Sequence, residues 1–141
     1  MTIHISWLLE NRVMYVEAWG NVSIDDVSTS TLYMVDLIEK SEHPLVHIII
    51  VNKGIDKIPL NVIQLQRATR PLLGHPKNGW HVFVNSQNTV IDYSMNILAQ
   101  LFKTRWRKVS VLEEAITFLQ DADQSLPPLP TDIPEPVRIF E

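Results

Sequence analysis

A chain of 141 residues with 45 % hydrophobic and 20 % charged side chains has room for one core and none for a second domain. A formal net charge of −4 gives no general attraction to nucleic acid or anionic membrane, and the absence of cysteine excludes disulfides and thiolate chemistry and fits a reducing cytoplasm. No apolar run approaches the roughly 20 residues that span a bilayer, and "MTIHISWLLENR" at the start lacks the basic beginning and small-residue cleavage site of a signal peptide.

The first segment alternates, with Ile3, Ile5, Trp7 and Leu9 on one side, and a second alternating run follows from Arg12 to Trp19, so a β-hairpin is expected. Ser23 with Asp26 three residues on forms a capping-box pattern, and Ile24, Val27, Thr31, Met34, Val35 and Ile38 continue it as a helix to about Lys40. "LVHIIIV" is too apolar to face water on either side and reads as a central parallel strand. The stretch after it, Asn52 to Leu60, reads as a strand-to-helix loop, where open α/β domains place their chemistry. Asn61 then caps a second helix running to Arg70, which Pro71 should stop. "GWHVFVN" is the next strand, Asn88 starts a third helix, "RWRKV" is a short strand, and Ser110 with Glu113 opens a fourth helix.

The order β-β-α-β-α-β-α-β-α predicts an α/β domain with a mostly parallel sheet of about five strands, an antiparallel first strand and four helices. It occupies residues 1–125. A tail follows over 126–141, in which five of the nine prolines fall within residues 127–136, an extended stretch unable to form helix or central strand. Its last residues, "VRIFE", alternate and suit a sheet edge or an apolar surface, so the tail is expected to dock.

Across residues 1–122 this order, with "HPLVHIIIV", "GWHVFVN" and "RWRKVSVLEEAITFLQ", resembles the anti-sigma-factor antagonist family (SpoIIAA-like, STAS). The resemblance implies a sheet of successive β-α units and a regulatory role through a protein partner. Regulated members carry a phosphorylatable serine at the start of the second helix. This chain has Ile55-Asp56-Lys57 there and neither serine nor threonine from Val51 to Ala68, so it is read as a divergent member without the switch. Asp56, Lys57 and Asn61 remain the residues corresponding to that switch surface, with ordinary turn geometry and solvation as the competing explanation.

No nucleophile, nucleotide-binding or phosphate-loop motif occurs, so no enzyme activity and no cofactor is expected. His43 and His47 do not share a helical face, and no third ligand is marked by spacing, so no metal is expected either. "KTRWRK" at 103–108 gathers four cations around Trp106, a pattern that guards an edge strand against aggregation as well as it would meet a base or a headgroup.

The strands read as two-faced. Met14, Val16, Ala18, Val46, Ile48, Ile50, Val82 and Val84 form an aliphatic set suited to lie under helices; Tyr15, Trp19, His47, His81 and Phe83 fall in the alternate set. That aromatic set is expected as a partly uncovered face meeting a protein partner, most simply a second copy in a homodimer, with the chain's own proline-rich tail or first strand folding over it as the competing explanation. The function expected is therefore a non-catalytic binding or regulatory module in bacterial cytoplasm. The alternative is a carrier of a small apolar ligand or lipid, with its pocket between helices and sheet.

Overall fold

The computed structural model describes residues 2–86 and 89–141, and of residues 89–91 the backbone alone. The expected N-cap of the third helix, Asn88, lies outside the described residues.

β1 (Thr2–Leu9) and β2 (Val13–Asn21) form the hairpin, turned by Asn11 at a positive φ of 64°. α1 (Ile24–Lys40) follows, with both halves of the capping box in place: Ser23 Oγ accepts from the Asp26 N–H at 3.2 Å and the Asp26 carboxylate accepts from the Ser23 N–H at 2.9 Å. β3 (Val46–Lys57), α2 (Val62–Leu73), β4 (Asn78–Val84), α3 (Thr89–Phe102), β5 (Arg105–Val109) and α4 (Leu112–Ala122) continue the alternation, and β6 (Arg138–Phe140) closes the chain. The sheet order is β5-β4-β3-β2-β1-β6. β2, β3, β4 and β5 are mutually parallel, while β1 runs antiparallel to both β2 and β6.

Both faces of this sheet are covered. On one, α1, α2 and α3 pack Met34, Ile38, Leu72, Leu73, Met95 and Leu98 over Met14, Val16, Ile48 and Phe83. On the other, α4 lays Ala115, Ile116 and Leu119 on Tyr15, Ile49, Val51, Val82 and Val84, and the tail adds Leu126 and Leu129. Each buried branched or aromatic side chain contributes about 1.5–3 kcal/mol by leaving water. The tail then crosses to the opposite edge, where the Val137 N–H donates to the Ile5 carbonyl at 2.8 Å and Phe140 meets Tyr33 edge to face at 5.7 Å.

Several expectations change. β3 does not end at Val51 but runs on to Lys57, pairing Ile55 and Lys57 with Gly20 and Asn21 of β2 across two register shifts. Gly54, at φ 130°, supplies a backbone conformation that a side chain would strain, and Asn52 Oδ1 accepts from the Gly54 and Ile55 N–H groups. The expected loop is thus a bulged strand end. Pro71 lies inside α2 rather than stopping it; the proline is exposed, so water can serve the carbonyl left without a donor. α4 begins one residue later than its capping box required, with Val111 at the N-cap and no side-chain cap bond from Ser110.

The largest correction concerns the faces. β3 and β4 pair Ile48 with His81, Ile49 with Val82, Ile50 with Phe83 and Val51 with Val84. Val82 and Val84 therefore belong to the α4 side, while His81 and Phe83 face α1, α2 and α3. The register shift between Val46 and Ile48, opposite Asn78 to His81, places the change of phase at Gly79 and Trp80.

The short edge strand β5 exposes Arg105, Arg107 and Lys108 and turns Trp106 inward, edge to face with Phe83 at 6.0 Å. Arg107 lies 5.0 Å over the Phe118 ring, and Lys108 Nζ reaches the Asp92 carboxylate at 2.7 Å. A charged, side-chain-paired edge of this kind disfavours pairing with another strand.

Candidate functional site

The residues expected to share one open face do not. Tyr15 and His47 point to the α4 side and are 2 % and 0 % exposed; His81, on the opposite side, is 3 % exposed. Trp19 and Phe83 are half-buried, Trp19 packing edge to face with His4 at 4.8 Å. An uncovered aromatic sheet face is absent among the described residues, because α4 and the tail occupy the side that successive β-α units were expected to leave open.

His47 instead forms a clasp. Its Nδ1 accepts from the Trp80 N–H at 2.9 Å, so Nε2 carries the proton and donates to Asp123 Oδ2 at 2.8 Å. Arg12 stands 3.8 Å from the same carboxylate and donates to Ser125 Oγ at 2.7 Å, while that hydroxyl donates back to Asp123 Oδ1 at 2.5 Å. The cluster ties the residues just after α4 to the β1–β2 turn, β3 and β4. Burial pulls His47 below its ordinary pKa of 6.5, against the upward pull of Asp123. Desolvation works to raise Asp123, but the hydrogen bonds from Ser125 and His47 outweigh it and hold the carboxyl at about 2. Both ring nitrogens of His47 are engaged, so it is placed to hold structure rather than to move a proton.

The clasp requires Gly79. A Cβ there would lie 2.4 Å from His47 Nδ1 and 2.9 Å from the Val46 carbonyl oxygen, which is backbone and cannot step aside. Gly79→Ala is accordingly expected to lower stability by about 1–3 kcal/mol, read as a lower urea midpoint with unchanged slope. An unchanged midpoint would mean the His47 ring has room the structure does not show.

On the other side lies a cavity of about 210 Å³ between the sheet and α1, α2 and α3. Ala18, Ile48 and Phe83 form its floor; Met34, Leu65, Leu72, Met95 and Leu98 come from the three helices. Val22, Val27, Ile55, Ile58 and Pro59 are half-buried and form its rim at the C-terminal end of β3, where a parallel sheet presents its ligand sites. Just beyond stand Leu60 and Ile63, 73 % and 62 % exposed. Asp56 and Lys57, both exposed, and Asn61, the exposed N-cap of α2 that accepts from the Gln64 N–H at 3.1 Å, flank the same rim. The loop singled out in the sequence therefore borders the cavity mouth.

Sequence reasoning missed Arg12, Asp123 and Ser125. Asp123 is 76 positions from His47, and no local spacing links them. It also missed His81 as a cavity residue, because the phase of β4 is set by pairing and not by its own alternation.

No protein-family model matches the chain, and no curated protein matches it. Two solved structures do. One is an uncharacterised protein of the DUF3478 family with a SpoIIAA-like fold from Shewanella loihica PV-4, 12 % identical over 83 % of this chain and 91 % of that one, with a TM-score of 0.59. The other is the anti-sigma factor antagonist SpoIIAA in its unphosphorylated form, 14 % identical over 84 % of this chain and 97 % of that one, with a TM-score of 0.53. At such identities the likeness is one of fold: the chain has a SpoIIAA-like α/β fold, as the resemblance in its sequence implied.

Proposed function

We propose that the protein is a non-catalytic binding module whose ligand is a small apolar molecule held between the sheet and α1, α2 and α3. The cavity is the observation that carries this reading: interiors are close-packed, and voids that would admit more than a water are few per domain. A dry apolar cavity of about 150 Å³ in another protein takes up benzene, and this one is larger. Its rim of half-buried aliphatics offers an entrance.

A second reading has one observation in its favour. Leu60 and Ile63 are large apolar side chains left in water at the start of α2, beside Asp56, Lys57 and Asn61, and exposed apolar groups ringed by polar ones suit a protein partner. The likeness to an anti-sigma factor antagonist fits a regulatory role of this kind. The two readings are compatible, since an occupied cavity would alter the surface at its own rim. Native mass spectrometry of protein taken directly from cells separates them. The ligand reading expects a mass above that of the bare chain, released on collisional heating; integer multiples of the bare chain alone would favour the partner reading.

A further inference from the structure

The geometry points to a ligand that is uncharged in its buried part and donates one hydrogen bond, through a hydroxyl or an N–H, to Nδ1 of His81. This rests on the reading of the cavity as a ligand site and narrows the chemistry of what enters it.

Among the described residues the cavity lining contains no Asp, Glu, Lys or Arg, and its one titratable member is His81. An ionised carboxylate or ammonium taken inside would lose its hydration with no counter-charge, which is costly enough to exclude it. His81 is 97 % buried by the complement of its 3 % exposure. Its Nε2 lies 2.6 Å from Asn78 Oδ1, and because an amide oxygen only accepts, Nε2 carries the ring proton. That leaves Nδ1 with a lone pair, for which the described residues supply no donor. Among the described residues the side-chain atoms sealed off without a partner are Arg12 Nε and Thr104 Oγ1; His81 Nδ1 is not one of them, so it stays open to the cavity that His81 lines, where a ligand donor would satisfy it. Every other wall nearby is aliphatic, aromatic or thioether, apart from Ser94, Thr31, Ser30 and Thr69. Of these, Ser30 and Thr69 hydroxyls are already donated to helix carbonyls.

His81 also lies on β4 further from the C-terminal end of the strand than Phe83 does, by two residues, and the rim opens at that end. A ligand entering past Ile58 and Pro59 would thus lead with its donor group and leave an apolar body along Ala18, Ile50 and Phe83. Burial holds the imidazole neutral, with its pKa drawn down to about 4, so the lone pair is available at neutral pH. By volume the buried part is a fused two-ring or short-chain molecule of roughly ten to fifteen heavy atoms.

Three probes of one shape test this: naphthalene, 2-naphthol and 2-naphthoate, titrated by calorimetry or fluorescence into the full chain. We expect 2-naphthol to bind at least tenfold more tightly than naphthalene, and 2-naphthoate more weakly than either. In His81→Phe the naphthol advantage should vanish while naphthalene still binds. In the wild type, ¹⁵N spectra should show an upfield shift of the His81 lone-pair nitrogen with 2-naphthol and none with naphthalene, a readout that holds even if the variant does not fold. Naphthalene binding without a naphthol preference, or with an unmoved His81 nitrogen, would overturn the inference and leave the cavity reading standing. Tight 2-naphthoate binding would overturn it too, placing a charged head at the rim. If none of the three binds, the cavity reading itself fails.

Discussion

Replacing His47 by alanine is expected to lower the unfolding free energy by about 3 kcal/mol or more, among the largest single-site effects in this protein. The side chain is fully buried and fills the space beside Gly79 that a Cβ would otherwise occupy. Its loss leaves a cavity, strips the Trp80 N–H of its acceptor, and leaves Asp123 with one donor fewer at the join between α4 and the tail. His47→Gln restores a donor but not the ring, and should recover only part of the loss. Urea unfolding followed by tryptophan fluorescence measures both. A cost below about 1 kcal/mol for the alanine variant would show that the clasp contributes little and that apolar packing alone holds α4 to the sheet.

Acidification from pH 6.5 to pH 4 should remove stability on the order of 3 kcal/mol, chiefly through His81. The unfolded chain takes up a proton at the ordinary histidine pKa of 6.5, whereas burial, reinforced by His47, keeps the folded imidazole neutral until about 4. The unfolded state thus binds more protons across this window. Stability is fully present above pH 6.5 and declines as pH falls toward 4. His47, displaced downward for the same first reason, acts in the same direction. Below about pH 4 the loss continues through Asp123, whose contribution is present above the ordinary carboxyl value of 3.8 and disappears as pH falls through about 2. His81→Phe should flatten the profile between pH 6.5 and 4 and leave the lower limb in place. Equal slopes for variant and wild type would assign the acid sensitivity to some other group.

The parts of this fold legible in the sequence were those specified by neighbours along the chain. The Ser23–Asp26 capping box, the hairpin about Asn11 and the cap at Asn61 are local devices, and each appears where the spacing placed it. The order of strands and helices was legible for the same reason. Two things were not. The phase of β4 depends on where the extra residue at Gly79 and Trp80 is absorbed, which is a property of the β3–β4 pair; "GWHVFVN" has apolar residues in both phases because both faces are buried. The covering of the α4 side depends on Leu126 and Leu129, two leucines in a proline-rich stretch with no periodicity to show which surface it meets. Misjudging these together produced an open aromatic face where the structure has core. The stretch from Asn52 to Leu60, which reads as a strand-to-helix loop, is for the most part the bulged end of β3, and Ile55, Ile58 and Pro59 line the cavity.

The reading of the cavity as a ligand site is tested most directly by titrating the protein with the uncharged fluorophore N-phenyl-1-naphthylamine, alongside the variant Ala18→Phe. Ala18 is a buried floor residue whose enlargement puts a ring into the empty space. The wild type should bind one equivalent saturably with a blue shift in emission, and the variant should unfold cooperatively yet bind at least tenfold more weakly. Equal binding by both, or no saturable binding by the wild type, would contradict the account.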